Sequence, residues 1–305
     1  MLRILLFQFI GISGVFAGTY LGYSDYQIVT DFRFPAEPYF RKMSESGVNF
    51  QRIWVLGYSG VEKKFDELLP FVIENDTYRL DQIEPRYIER LKNVLALAEK
   101  HHQRVMLTLF DNWSLGSVFP RTPWYYKNNG QRLQLNGRKD FYSVRNRKLI
   151  RLQENYVRRI VAATRDFLPI YEIVNEGGGA NCEQLGEWHQ SVASWIQSEF
   201  PEAEIAVNTS SDCPQVLDAP WVKVISFHHS SWSRNGICSY VEKYPDKEII
   251  LDTDGGWRFR DDNKLVKSWL SEAMSCGASF NHKDDIYKLD LELLNVYQDF
   301  KNRTK

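Results

Sequence analysis

Two short stretches of the 305-residue chain set carboxylates beside glycines. Glu176 follows Ile173-Val174-Asn175 and precedes Gly177-Gly178-Gly179, and Asp252 and Asp254 flank Thr253 just before Gly255-Gly256. Glycines permit tight turns and close approach of another group to the backbone. A carboxylate held there can donate or accept a proton or act as a nucleophile. A lone Asp or Asn after an apolar run is commonly a helix N-cap, and Asp111, Asn208 and Asp212 fit that plain role. Glu176 fits it poorly, because capping favours Asp, Ser or Asn over Glu.

These groups close short apolar runs separated by helical patterns. A helix is expected from Pro35 to Ser46, followed by a strand-like run, Val48–Leu56. Tyr87, Leu91, Val94, Leu95 and Ala98 share one helical face between Glu84 and His101, ahead of the apolar run Arg104–Phe110. A second long helix spans Ser143 to Asp166, and Ile170–Val174 and a helix from Cys182 to Glu199 follow. Ala203–Asn208, Val222–Phe227, Glu248–Leu251 and Ala278–Phe280 complete the apolar runs, with helices at Lys264–Ser275 and Leu289–Phe300. Apolar runs without alternation suit strands buried on both faces. With Phe9–Gly14 as the first strand, eight βα units in one domain of this length predict a (β/α)8 barrel of the α/β class. A doubly wound open sheet lacks the GxGxxG turn it would need.

In a barrel of this kind chemistry sits at the C-terminal strand ends. Arg52 lies within the second strand, Asp111-Asn112-Trp113 follow the third, and Asn175-Glu176 the fourth. Asn208, His228-His229, Asp252-Thr253-Asp254 and Asn281-His282-Lys283 follow the rest. Asp111, His228, His229 and Asp254 have no HExxH-type spacing, so no metal or other cofactor is called for.

Composition narrows the partners. Thirty-eight basic against 39 acidic residues give a formal charge of -1, with no basic excess for a nucleic-acid backbone. The aromatic share of 14% either fills a core or stacks on ligands. Residues 1–17 read either as a weak signal peptide or, preferably, as the first strand, and are too short a clean apolar run to span a membrane. The four cysteines show no CxxC pair and their spacing demands no disulfide framework, which leaves the redox compartment open. Oligomeric state is not readable from the chain.

Tyr171-Glu172-Ile173-Val174-Asn175-Glu176 resembles the fourth-strand signature of clan-A glycoside hydrolases, the cellulase- and mannanase-like (β/α)8 barrels. Gly47–Trp54, Val105–Trp113 and Phe227-His228-His229 resemble the second-, third- and sixth-strand motifs, in the right order. The resemblance implies that Glu176 is the general acid/base, that Asn175 contacts a sugar hydroxyl and that Arg52 supports the nucleophile. The departure is at the seventh strand, where Thr253 stands at the position of the family's nucleophilic Glu. Either Asp254, turned inward by a bulge, or Asp252 takes the role, with Asp254 preferred, or the chemistry has been lost.

The resemblance therefore implies a glycosidase acting on an oligo- or polysaccharide through a carboxylate pair, with retention of configuration. Glu176 is expected to have a raised pKa from burial and the second carboxylate. His228 would position hydroxyls, and Trp113, Trp232 and Trp257 would stack on sugar faces. A catalytically inactive carbohydrate-binding barrel is the alternative, and Thr253 favours it. A barrel acting on phosphorylated metabolites would need more of a phosphate loop than Gly255-Gly256.

Overall fold

The computed structural model describes residues 19–56, 68–208, 213–228, 236–254, 263–284 and 291–303. In chain order the first elements are β1 (Leu21–Asp25), α1 (Ala36–Glu45), β2 (Phe50–Trp54), β3 (Phe71–Glu74), β4 (Thr77–Ile83) and α2 (Pro85–Lys100). Then come β5 (Arg104–Asp111), α3 (Asn112–Ser117), α4 (Arg138–Phe141), α5 (Arg147–Thr164), β6 (Ile170–Asn175) and α6 (Cys182–Glu199). The chain continues through β7 (Ile205–Val207), α7 (Pro214–Leu217), β8 (Val222–His228) and α8 (Gly236–Lys243). It ends with β9 (Glu248–Asp254), α9 (Asn263–Ser275), β10 (Ser279–Asp284) and α10 (Leu291–Arg303).

Eight parallel strands close in the order β1-β10-β9-β8-β7-β6-β5-β2. This is the (β/α)8 barrel expected from the alternation of runs. The first-strand place belongs to Leu21–Asp25, which pairs with β10 over five residues. The expected Phe9–Gly14 run lies outside the described residues. Leu21-Gly22-Tyr23-Ser24-Asp25 escapes a search for apolar runs because Ser24 serves the barrel interior, where its hydroxyl donates to Asn281 Oδ1 at 2.8 Å. The β3–β4 hairpin was also not expected. Its two-residue turn has positive φ at both Asn75 (48°) and Asp76 (57°), as a turn matched to strand twist requires.

The helices follow their sequence signals. Pro35 precedes α1, and Glu84 caps α2 through Arg86 N–H with Pro85 at the first position. Asn146 and Asn181 cap α5 and α6 through the N–H groups of Leu149 and Gln184. Their apolar stripes pack on the outer face of the barrel in one continuous core.

The barrel interior is layered. Tyr20, Phe50, Met106, Ile170, Ala206, Val224 and Ile250 form an apolar plug at the N-terminal end. Directly above it, toward the C-terminal rim, the inward side chains turn polar. Arg52, Thr108, Glu172, Ser226, Asp252 and Asn281 are all fully buried there. Gly22 makes room for this layer, since a Cβ at that position would collide with Asn281 Oδ1 and lie 2.7 Å from Phe50.

All four cysteines are paired, Cys182 with Cys213 and Cys238 with Cys276. The first bond ties the start of α6 to the residue before α7, and the second ties α8 to the turn after α9. Denatured, unreduced protein is therefore expected to titrate no thiol groups, and four after reduction.

At the opposite end of the barrel, burial pushes the Glu248 carboxyl up to about 7, with Glu204 adding to the effect and a 2.8 Å hydrogen bond from Ser279 opposing it. Because the folded state holds this proton more tightly, an ionised Glu248 costs stability as pH rises through about 7, and nothing below the unfolded carboxyl range. Glu248→Gln should thus stabilise the fold by about 1–3 kcal/mol at pH 8 and leave it nearly unchanged at pH 4, measured by denaturant unfolding.

Candidate active site

The polar layer is organised by one side chain. Arg52 projects inward from β2 and is fully buried. Its Nε and Nη2 donate to Glu172 Oε2 at 2.8 and 2.6 Å, and Nη2 also donates to Asn175 Oδ1 at 2.9 Å. Its Nη1 donates to Asp252 Oδ2. One cation thus joins β2 to β6 and β9 across the barrel. The guanidinium also stacks on Trp54, 4.5 Å from the ring centroid.

Around this centre most groups are spoken for, Glu172 Oε1 being the exception. Thr108 Oγ1 donates to Glu172 Oε2 at 2.6 Å, and Asn175 Nδ2 donates to Asp111 Oδ1 at 2.8 Å. Asp111 also caps α3 through the N–H groups of Trp113 and Ser114, which is the plain role foreseen for it. Asn281 Nδ2 donates to Asp252 Oδ1. Asn175, expected to face a sugar hydroxyl, spends both ends of its amide on Arg52 and Asp111.

Glu176 stands just above this layer in a left-handed backbone conformation, φ 51°, uncommon for a residue with a Cβ. Its backbone is clamped on both sides. Asn208 Oδ1 accepts from Glu176 N–H at 3.1 Å, and Asn112 Nδ2 donates to its carbonyl at 2.7 Å. Asn208 therefore positions Glu176. Gly177 follows closely because its N–H donates to Asn208 O at 2.8 Å.

His228, at the end of β8, links the two carboxylates. Its Nδ1 lies 3.2 Å from Glu176 Oε1 and its Nε2 lies 3.0 Å from Asp252 Oδ2. Nε2 is also 3.1 Å from Arg52 Nη1. An unprotonated Nε2 can accept from Arg52, and a protonated one can donate to Asp252, but one nitrogen cannot do both. The carboxylates are one imidazole apart, inside the roughly 9.5 Å that such a pair can span across a glycosidic bond.

Two expectations meet the structure here, and one of them is corrected. Among the described side chains, Asp252 is the strand-end carboxylate of β9 in contact with Arg52 and His228. Alternation along β9 carries Ile250 and Asp252 inward and Thr253 outward, where its hydroxyl meets His282 Nδ1 at 3.1 Å. The side chain of Asp254 lies outside the described set, as do Trp232, Trp257 and His229. Second, the Glu176 carboxyl is held below its ordinary range, not above it. Burial alone would raise it, but the hydrogen bond and charge of His228, with Arg52 and Arg138, outweigh burial. Asp252 is held at about 2; burial opposes its charge and Arg52 and His228 overcome that. In Glu172 burial prevails, and its carboxyl is pushed up despite Arg52.

The aromatic candidates divide. Trp113 is half-buried at the rim, in α3. Trp124 is 3% exposed and packs edge-on against Phe71 and Phe141, so it belongs to the core. Tyr125 and Tyr126 remain more open, with Tyr126 38% exposed. Trp54, Tyr26 and Lys283 form a buried aromatic–cation cluster not anticipated from the sequence, with the Lys283 ammonium 4.1 Å from the Tyr26 ring. Glu172 was missed as well. Its signal was present: a carboxylate inside a strand buried on both faces must meet a buried cation, and Arg52 was the candidate. Among the described residues, no three His, Cys, Asp or Glu side chains converge as a metal site would require.

No protein-family model and no curated protein matches the chain. Solved structures do match its architecture. An endo-1,4-β-mannanase from Rhizomucor miehei superposes with a TM-score of 0.69 at 15% identity, over 94% of this chain and 95% of that one. An endo-1,4-β-D-mannanase from Thermotoga petrophila gives 0.66 at 14%, over 92% and 99%. An exo-β-1,4-mannosidase from an Opitutaceae bacterium gives 0.61 at 15%, over 92% of this chain but 55% of the other. The chain thus has the (β/α)8 barrel fold found in these enzymes.

The geometry makes Arg52 the group whose loss is most costly. Arg52→Leu would strand Glu172 and Asp252 as buried, uncompensated acids, and should lower stability by about 3–5 kcal/mol in denaturant unfolding. The Asp252 contribution is present above its unfolded pKa near 3.8 and fades as pH falls toward about 2, so the deficit should shrink on acidification.

Proposed function

We propose that the protein hydrolyses O-glycosidic bonds in an oligo- or polysaccharide, with Glu176 as the proton-transferring carboxyl and Asp252 as the second carboxylate. The observation that carries this reading is the Glu176–His228–Asp252 bridge over Arg52, at the C-terminal rim of the barrel. The structural likeness to mannan-degrading barrels supports it.

The resting arrangement constrains the mechanism. Glycoside cleavage needs a proton on the carboxyl facing the leaving oxygen and a charge on the other. Asp252 is ionised, as a nucleophile or base must be, but it is fully buried beneath His228. For Asp252 to attack the anomeric carbon and give retention, the imidazole must turn out of the gap. Glu176 is ionised at neutral pH and must take up a proton, and His228 Nδ1 is the adjacent group able to deliver it.

A second reading, a carbohydrate-binding barrel without turnover, is favoured by the full burial of Asp252 and by Thr253 pointing away from the cleft. Turnover of β-1,4-manno-oligosaccharides and aryl glycosides separates the two. On the hydrolase reading, Glu176→Ala and Asp252→Asn each lower kcat at least about a hundredfold while Asp254→Asn does not. Wild-type binding without any turnover selects the second reading. The anomer first released, followed by proton NMR, tests retention.

The rate should rise as pH falls toward the carboxyl range, because the working form of Glu176 is protonated. His228 is what lowers the Glu176 pKa against burial, so His228→Asn should move the descending limb of kcat/KM to higher pH even as the maximum rate drops.

A further inference from the structure

Arg138 opens α4, on the long loop that follows β5, and is half-buried. Its aliphatic stem lies against Gly179, where a Cβ would come within 2.9 Å of Cδ and 3.0 Å of the Arg138 Cβ. Its guanidinium lies against Gly116, where a Cβ would overlap the group outright. Gly179 also has φ 85°, so glycine suits both its conformation and its contact. The two glycines form a slot that fixes this side chain within electrostatic reach of Glu176 and Tyr142. Asn112 connects the same two residues, accepting from Tyr142 Oη and donating to the Glu176 carbonyl, each at 2.7 Å.

What the slot lacks is an acceptor. Arg138 Nε is buried without a hydrogen-bond partner. The neighbouring carboxylate, Asp140, accepts instead from the backbone and side chain of Asn136, both at 2.9 Å. Arg79, Arg104 and Arg158, by contrast, have carboxylate partners: Glu74 and Asp81, Glu204, and Glu154 and Glu199 respectively. A guanidinium oriented beside the proton-transferring carboxyl, with no ion pair among the described residues, is a preformed receptor for a planar anion, which it can take in a two-pronged grip.

We propose that Arg138 binds the carboxylate of a uronic acid residue next to the bond that is cleaved, so that the substrate is an acidic β-linked oligosaccharide. This rests on the hydrolase reading, and the test keeps the two apart. β-1,4-Linked mannuronate oligomers and manno-oligomers of equal length differ only at C6, carboxylate against hydroxymethyl. The wild type should favour the mannuronate by at least about tenfold in kcat/KM, as expected for a charge-assisted contact, with the ratio falling in added salt. Arg138→Gln should collapse that ratio toward one, and Arg138→Lys should keep part of it. Calorimetric binding to the Glu176→Gln protein should show the same ranking. A wild-type ratio of one or less, or a ratio unchanged in folded Arg138→Gln, overturns the proposal. If neither oligomer is cleaved, the hydrolase reading falls, and Arg138-dependent binding of the mannuronate alone then sustains the anion site. Equal binding of the two in that case removes it.

Discussion

The structure depends on one buried cation. Arg52 sits where eight strands converge, with two carboxylates, an amide and an imidazole around a single guanidinium. Burying a charge so deeply is tolerable only when nearly every donor is used, and the fork of an arginine can serve several strands at once. Once Arg52 is fixed, the neighbours have little choice. Asp252 must be ionised, Asn175 must turn its oxygen inward, and Asn281 must face Asp252. The apolar plug beneath supports this layer by filling the barrel so that the polar groups above cannot sink or shift.

The catalytic candidates inherit their properties from that network. Glu176 is at the edge of the cation's field and in contact with His228, so its charge is favoured at rest. The imidazole has a nitrogen on each carboxylate and a choice of partners at one of them. Where its protons sit therefore sets the charge of the whole rim. The backbone of Glu176 is held by asparagines from two other strand ends, which is how a left-handed residue persists in this turn.

Much of the barrel was legible because its outward faces and floor are apolar, and apolar runs show in a sequence. Glu176, Arg52 and His228 were legible for a different reason: polar types stood at strand ends or inside strands where burial was expected. Three things were hidden. Leu21–Asp25 did not read as a strand because its inward positions are a glycine and a serine that serve the polar layer. Glu172 and Asn175, three residues apart, both reach Arg52, which strict alternation does not allow. The disulfide pairings were hidden too, since spacing alone gives no connectivity.

The seams of the barrel are not equally sewn. β6 and β7 share two register pairs, and β1 and β2 share one, against five between β1 and β10. The Cys182–Cys213 bond fastens the segments that follow β6 and β7, so the first weak seam has a covalent rivet beside it. The second has no covalent tie beside it: Asn49 N–H donates to Leu21 O at 3.0 Å, Asn49 Oδ1 accepts from Leu21 N–H and Ser24 Oγ accepts from Arg52 N–H, both at 2.8 Å. A barrel that breathes does so where ladder bonds are fewest. Amide exchange should therefore start along β1 and β2, and the same opening would loosen the strand that carries Arg52.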